Sequence, residues 1–184
     1  MTPLIQSRES LEKLVYNYIR YLEAERHASP HTMRNYTHDL RHFLEFLEME
    51  NVATLGEVDR HVLRQYITSL QEDGFEKSSV SRKLSALRSF YSYLMQQNLI
   101  DSNPLLTVSA PKLDKRLPSF LSSDEVTQLL DIPDTTNPQG QRDRAMLELL
   151  YASGLRVREI VGLKMDKVHI ETCEIRVWGK GSKE

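Results

Sequence analysis

The chain has 184 residues, 40% hydrophobic and 27% charged, an ordinary globular composition with room for one domain or two small ones. Its net charge of −2 excludes a generic polycation, so any nucleic-acid contact has to come from local clustering of basic residues. The single Cys173 excludes an internal disulfide framework. Together with the lack of a membrane-spanning apolar run or a signal-peptide core after Met1, it makes the cytoplasm the expected compartment.

As far as Gln97, periodicity predicts helices only. The first covers 9–25, with Leu11, Leu14, Val15, Tyr18, Ile19 and Leu22 at three- and four-residue spacing, one apolar stripe. Ser29-Pro30 opens the second, Ser as N-cap and Pro in the first turn, and its stripe is Met33, Tyr36, Leu40, Phe43, Leu44 and Leu47. A third fits 60–72, capped by Asp59 and ended by Gly74. The fourth is expected to begin after Ser78 and Ser79 and run to about Gln97, with Val80, Leu84, Leu87, Tyr91 and Leu94 inward. Four amphipathic helices with short joins predict a small bundle over 1–103.

Pro104, Pro111 and Pro118 then bracket an aperiodic stretch over 104–121, the expected linker. Beyond it, Ser122-Ser123-Asp124-Glu125 reads as a capping box before Val126, Leu129 and Leu130. A helix over 139–152 and a short one from Arg156 to Leu163 follow, with Tyr151 expected on the inward side of the longer one. Val168-His169-Ile170 and Glu174-Ile175-Arg176-Val177-Trp178 alternate as strands, joined by a turn near Glu171-Thr172. The second domain is thus expected over 122–184, with both helix and strand.

Two short motifs stand out in that half. Tyr151-Ala152-Ser153-Gly154-Leu155-Arg156-Val157-Arg158-Glu159-Ile160 reads as helix, glycine break and a new helix with an arginine near its start. The planar guanidinium is always charged and holds two phosphate oxygens at once. The competing reading pairs Arg156 with Glu159 or Glu148 as a surface ion pair. Gly179-Lys180-Gly181-Ser182-Lys183-Glu184 reads as the glycine-flanked tip of a hairpin presenting Lys180, by itself a solvated turn lysine. The sequence has no Walker A pattern, and its histidines show no metal-ligand spacing with Cys173, so neither a cofactor nor a metal is expected.

Basic residues gather elsewhere. From Lys77 to Ile100 there is no acidic residue, while Lys77, Arg82, Lys83 and Arg88 recur on one helix with Ser78, Ser79 and Ser81 near its start. The second helix adds His31, Thr32, Arg34, His38 and Arg41. This is either a DNA-contacting face or a solvated one.

With the preceding Arg142-Asp143-Arg144-Ala145-Met146-Leu147-Glu148-Leu149-Leu150, the two motifs resemble the tyrosine recombinases, most closely the Xer type. Ser109-Ala110-Pro111-Lys112 and Arg116-Leu117-Pro118 resemble the linker of one Xer branch. The resemblance implies a mainly α chain: a four-helix, SAM-like core-binding domain that grips duplex DNA, then the amino-terminal part of an α+β catalytic domain with a small β-hairpin. It further implies that Arg156 binds the scissile phosphate and that Lys180 donates a proton to the leaving 5′ oxygen. It assigns DNA contact to the helices carrying Thr32, Arg34, Lys77, Ser79, Arg82, Lys83 and Arg88. The implied activity is site-specific recombination through a covalent phosphotyrosine, without metal or external energy, on a chromosome-dimer resolution site and with a sister recombinase in a tetramer. The family's second arginine and nucleophilic tyrosine lie downstream of the hairpin and have no counterpart before Glu184, so this chain is expected to be a fragment, inactive alone. A short DNA-binding protein and a mobile-element integrase are the alternatives.

Overall fold

A computed structural model of the chain describes residues 8–112 and 119–177. These fall into two compact units, the first ending before the undescribed 113–118 and the second following it.

The first unit is a helical bundle of α1 (Arg8–Ala24), α2 (Pro30–Met49), α3 (Arg60–Glu72) and α4 (Lys77–Gln96). Local chemistry sets the starts. Ser29 Oγ accepts from the Thr32 N–H at 3.2 Å with Pro30 in the first turn, and Asp59 accepts from the His61 and Val62 N–H groups at 2.8 and 2.9 Å. The ends share one device. After α2, α3 and α4 the chain turns through a left-handed residue, Asn51, Gly74 or Asn98. The next residue, Val52, Phe75 or Leu99, then folds back, its N–H donating to the Leu47, Leu70 or Leu94 carbonyl at 2.9–3.0 Å. Each of these three apolar residues also packs on the core, as this motif favours.

Most residues of the expected stripes lie in the core, joined by Leu63 and Tyr66 of α3, while Leu14, Ile19, Met33 and Tyr36 are only partly buried. Val15, Tyr18, Leu40, Phe43, Leu47, Leu63, Tyr66, Leu84, Leu87, Tyr91 and Leu94 are all buried. Helix α4 packs against α1, α2 and α3, so its buried surface is wider than one stripe and takes in Lys83, Ala86 and Phe90. It also begins at Lys77, before rather than after Ser78 and Ser79, with Glu76 at the cap position and both serines inside the first turn. Tyr18 meets Phe90 edge-on at 5.3 Å, Phe43 meets Tyr66 at 4.9 Å, and the Tyr91 hydroxyl donates to the Leu55 carbonyl at 3.2 Å.

The expected linker is split. Asn103 caps a 3-10 turn over Pro104–Thr107, and Leu105 and Val108 are buried in the bundle core. Those residues belong to the first unit because their apolar side chains fill it.

The second unit contains α5 (Ser123–Asp131), α6 (Pro138–Ser153), α7 (Val157–Val161), a 3-10 turn over Met165–Lys167, and a two-stranded antiparallel sheet. Its strands, β1 (Val168–His169) and β2 (Glu174–Ile175), pair Val168 with Ile175, and a left-handed Cys173 completes the turn. The capping box is present: Glu125 N–H donates to Ser122 Oγ at 3.3 Å, and Ser122 N–H donates to Glu125 Oε2 at 2.7 Å. Gly140 allows α6 to start close to the preceding loop, since a Cβ there would lie 1.8 Å from the Asp134 carbonyl oxygen. Among the described residues of this unit only Gly140 and Ile160 are buried. Tyr151, expected inward, is 65% exposed, because nothing described covers that side of α6. Of the described helices, none is long and apolar enough to cross a membrane.

Candidate nucleic-acid interface and catalytic arginine

On α2, His31, Arg34, His38 and Arg41 are spaced by three and four residues, which places them on one stripe of the helix, and His31, Arg34 and Arg41 are well exposed along it. Arg34 lies beside His31, Nη2 to Nδ1 at 3.3 Å. Thr32 is half-buried, its hydroxyl 2.9 Å from that of Ser29 at the helix cap.

The α4 residues do not act as one face. With roughly 100° of turn per residue, Lys77 and Arg88 lie within about 20° of each other and Arg82 about 120–140° away. Lys77 is exposed, whereas Ser79, also in the first turn, is half-buried. Arg88 is half-buried, and one of its nitrogens donates to the Val108 carbonyl at 2.8 Å, pinning the segment after the 3-10 turn. Arg82 is paired with Asp39 of α2 and keeps a side-chain exposure of 40%.

Lys83 corrects the sequence expectation. Its side chain is 1% exposed, with Nζ 3.4 Å from Asp39 Oδ1 and 5.0 Å from the centre of the Phe75 ring. In this arrangement it does not reach a phosphate. Burial pushes its ammonium pKa down, and the neighbouring Asp39 opposes that shift. Burial, and then the charge of Lys83, lower the pKa of His42, which lies 3.1 Å from the Tyr66 hydroxyl. Asp39 itself, fully buried, was not singled out from the sequence. The signal was there: it is an acidic residue three after Tyr36 and four before Phe43, within the apolar stripe.

Arg156 sits in the second unit between α6 and α7. Gly154 ends α6 at φ +64°, a conformation that favours glycine, and its N–H donates to the Leu150 carbonyl. That turn starts α7 afresh, with Arg156 as its cap residue. Glu159, whose side chain is only 11% exposed, holds Arg156 twice, Oε2 to the backbone N–H and Oε1 to Nη1, both at 2.7 Å. The backbone bond first and then the guanidinium lower the Glu159 pKa, so the carboxylate stays charged. The Arg156 side chain remains 73% exposed. Glu148, the other partner considered, pairs with Arg144 instead. Lys180 lies outside the described residues, as do Arg116, Lys183 and the hairpin tip.

A helical bundle with a basic stripe on α2, followed by a unit that presents an anchored arginine, matches the arrangement expected from the sequence for a protein that acts on nucleic acid. Residues 15–98 match the phage integrase N-terminal SAM-like domain, and residues 119–184 match the phage integrase family. The chain belongs to that family, the tyrosine recombinases. It is 42% identical to the tyrosine recombinase XerC of Pelotomaculum thermopropionicum, over 91% of this chain and 56% of the relative. To XerC of Halalkalibacterium halodurans it is 43% identical, over 94% and 57%, and to that of Bacillus subtilis 36%, over 96% and 58%. The chain thus spans a little over half the length of these relatives. Its fold resembles that of a lambda integrase tetramer bound to a Holliday junction, with a TM-score of 0.73 at 19% identity over 99% of this chain and 52% of that one. It also resembles the Tn1549 transposon integrase in complex with circular intermediate DNA, with a TM-score of 0.64 at 15% identity over 88% and 50%.

Proposed function

We propose that this chain supplies the DNA-gripping unit and the first part of the catalytic unit of a site-specific tyrosine recombinase. The reading rests above all on Arg156, an exposed guanidinium held by Glu159 two residues after the left-handed Gly154, within a segment matching the family. In this role Arg156 binds two oxygens of the scissile phosphate and stabilises the charge that builds up as a tyrosine hydroxyl attacks phosphorus. Lys180 gives its proton to the departing 5′ oxygen. The exposed cations of α2, with Lys77 and Arg82 of α4, take the phosphate backbone of the duplex. No metal or cofactor enters this scheme. The protein works in the cytoplasm on a recombination site of the chromosome-dimer resolution kind, in a tetramer with a sister recombinase.

The test joins residues 1–184 to the remaining part of the Bacillus subtilis relative and offers the chimera a nicked duplex carrying that relative's site. A covalent protein–DNA adduct is expected from the chimera, and binding without adduct from the 184 residues alone. A chimera that folds and binds but forms no adduct rejects the catalytic reading. Salt-independent binding, or none, rejects the DNA-gripping one.

A further inference from the structure

The buried carboxylate between α2 and α4 belongs to none of the motifs read from the sequence. Asp39 is fully buried, yet it faces two cations from α4, Arg82 at the surface and Lys83 in the interior. A lone buried carboxylate is costly, and one inner lysine would already balance it. The bond to Arg82 supplies the hydrogen bond that Lys83, 3.4 Å away, does not. It holds one nitrogen of a half-exposed guanidinium and leaves the other donors of the fork available. Because Lys83 shares the carboxylate from inside, the charge of Arg82 is not cancelled outright. The anchor is itself packed on aromatic rings. Lys83 sits over the Phe75 ring, and the His42 ring meets Phe75 edge-on at 5.5 Å and lies against Tyr66 of α3.

We infer that Asp39 is a positioning residue for DNA recognition, aiming Arg82 at the phosphate backbone, while Lys83 serves as its inner counter-charge and touches no DNA. This rests on the DNA-gripping reading above. A free arginine gives up rotamer freedom on meeting a phosphate, whereas one held beforehand has already lost it, so the gain lies in affinity rather than in charge.

The test measures binding of the 184-residue chain to duplex DNA by fluorescence anisotropy across a salt series, with folding followed by circular dichroism. Arg82→Ala is expected to weaken binding and flatten the slope of log K against log salt by about 0.9. Arg82→Lys keeps the charge but not the fork. It is expected to bind about three- to tenfold more weakly with the slope unchanged. The double variant D39N/K83M removes the carboxylate together with the charge that would be stranded. It is expected to lose a similar factor while melting cooperatively, and this loss should vanish when the double variant is compared in a chain that already carries R82A. An equal loss with and without R82A would mean a structural role only and overturn the proposal. So would wild-type affinity in the folded double variant or in R82K, which keeps the question open to disproof should the double variant not fold. A folded D39N/K83M variant with a slope as flat as that of R82A would make Lys83 a phosphate ligand and overturn it as well, since Arg82 keeps its charge there. No salt-dependent binding by the unaltered chain would instead reject the DNA-gripping reading itself.

Discussion

Arg156 is anchored by its partner without being used up by it. Glu159 takes one guanidinium nitrogen and the backbone N–H, and most of the side chain still faces solvent. The same carboxylate makes the substitution clean. In Arg156→Ala the bond from Glu159 to the backbone N–H survives, so α7 is expected to keep its start. In the full-length chimera this variant should cleave the nicked duplex ~10²–10³ times more slowly, with site binding nearly unchanged. Single-turnover rates at saturating enzyme measure it. Cleavage at the parental rate would leave Arg156 as a surface ion-pair residue and no more.

At the scale of the element, the bundle helices are set by caps whose energies are local. Ser29→Ala removes the acceptor for the Thr32 N–H and is expected to cost about 1 kcal/mol of first-unit stability, read from urea unfolding. Asp59 adds a pH dependence. The Val62 and His61 N–H groups at the start of α3 hold its carboxyl below the usual range. The group therefore binds protons less readily in the folded state, and its contribution is complete above the unfolded carboxylate pKa of about 3.9. It is lost as pH falls through the lower folded value. Asn keeps an acceptor at the cap but does not titrate there. Asp59→Asn is therefore expected to show a shallower loss of melting temperature below pH ~4 than the parent. Parallel acid limbs for the two proteins would place the pH sensitivity elsewhere.

Across the whole molecule the two units differ in how much they bury. The first has one continuous core from Leu11 to Val108, whereas the second exposes Tyr151, Val157, Val161, Met165 and Ile170. Local unfolding free energy follows such burial. Limited proteolysis is expected to digest residues 119–177 first and leave a resistant fragment that extends past Val108, since Leu105 and Val108 are built into the bundle. Mass spectrometry of the fragments reads the boundary. A stable product ending near Asn103, or even protection through residue 177, would contradict this division.

What the sequence determined by itself was local. The spans of the first three helices, the caps at Ser29, Asp59 and the Ser122–Glu125 box, and the motif around Arg156 depend on residues within four positions of one another. Each could be read without knowing what lay across the fold. Tertiary structure decided what depends on a neighbour. Lys83 looked like one more cation of a basic helix until packing on three sides of α4 turned it into the core beside Asp39. Arg88 was drawn to the Val108 carbonyl, residues 104–108 joined the bundle, and Tyr151 was left outside its unit's small core. Amphipathic spacing records that one face is apolar, but it does not record how many partners a helix has. A basic residue at the margin of the stripe is therefore assigned to solvent or to the interior only when the second partner arrives.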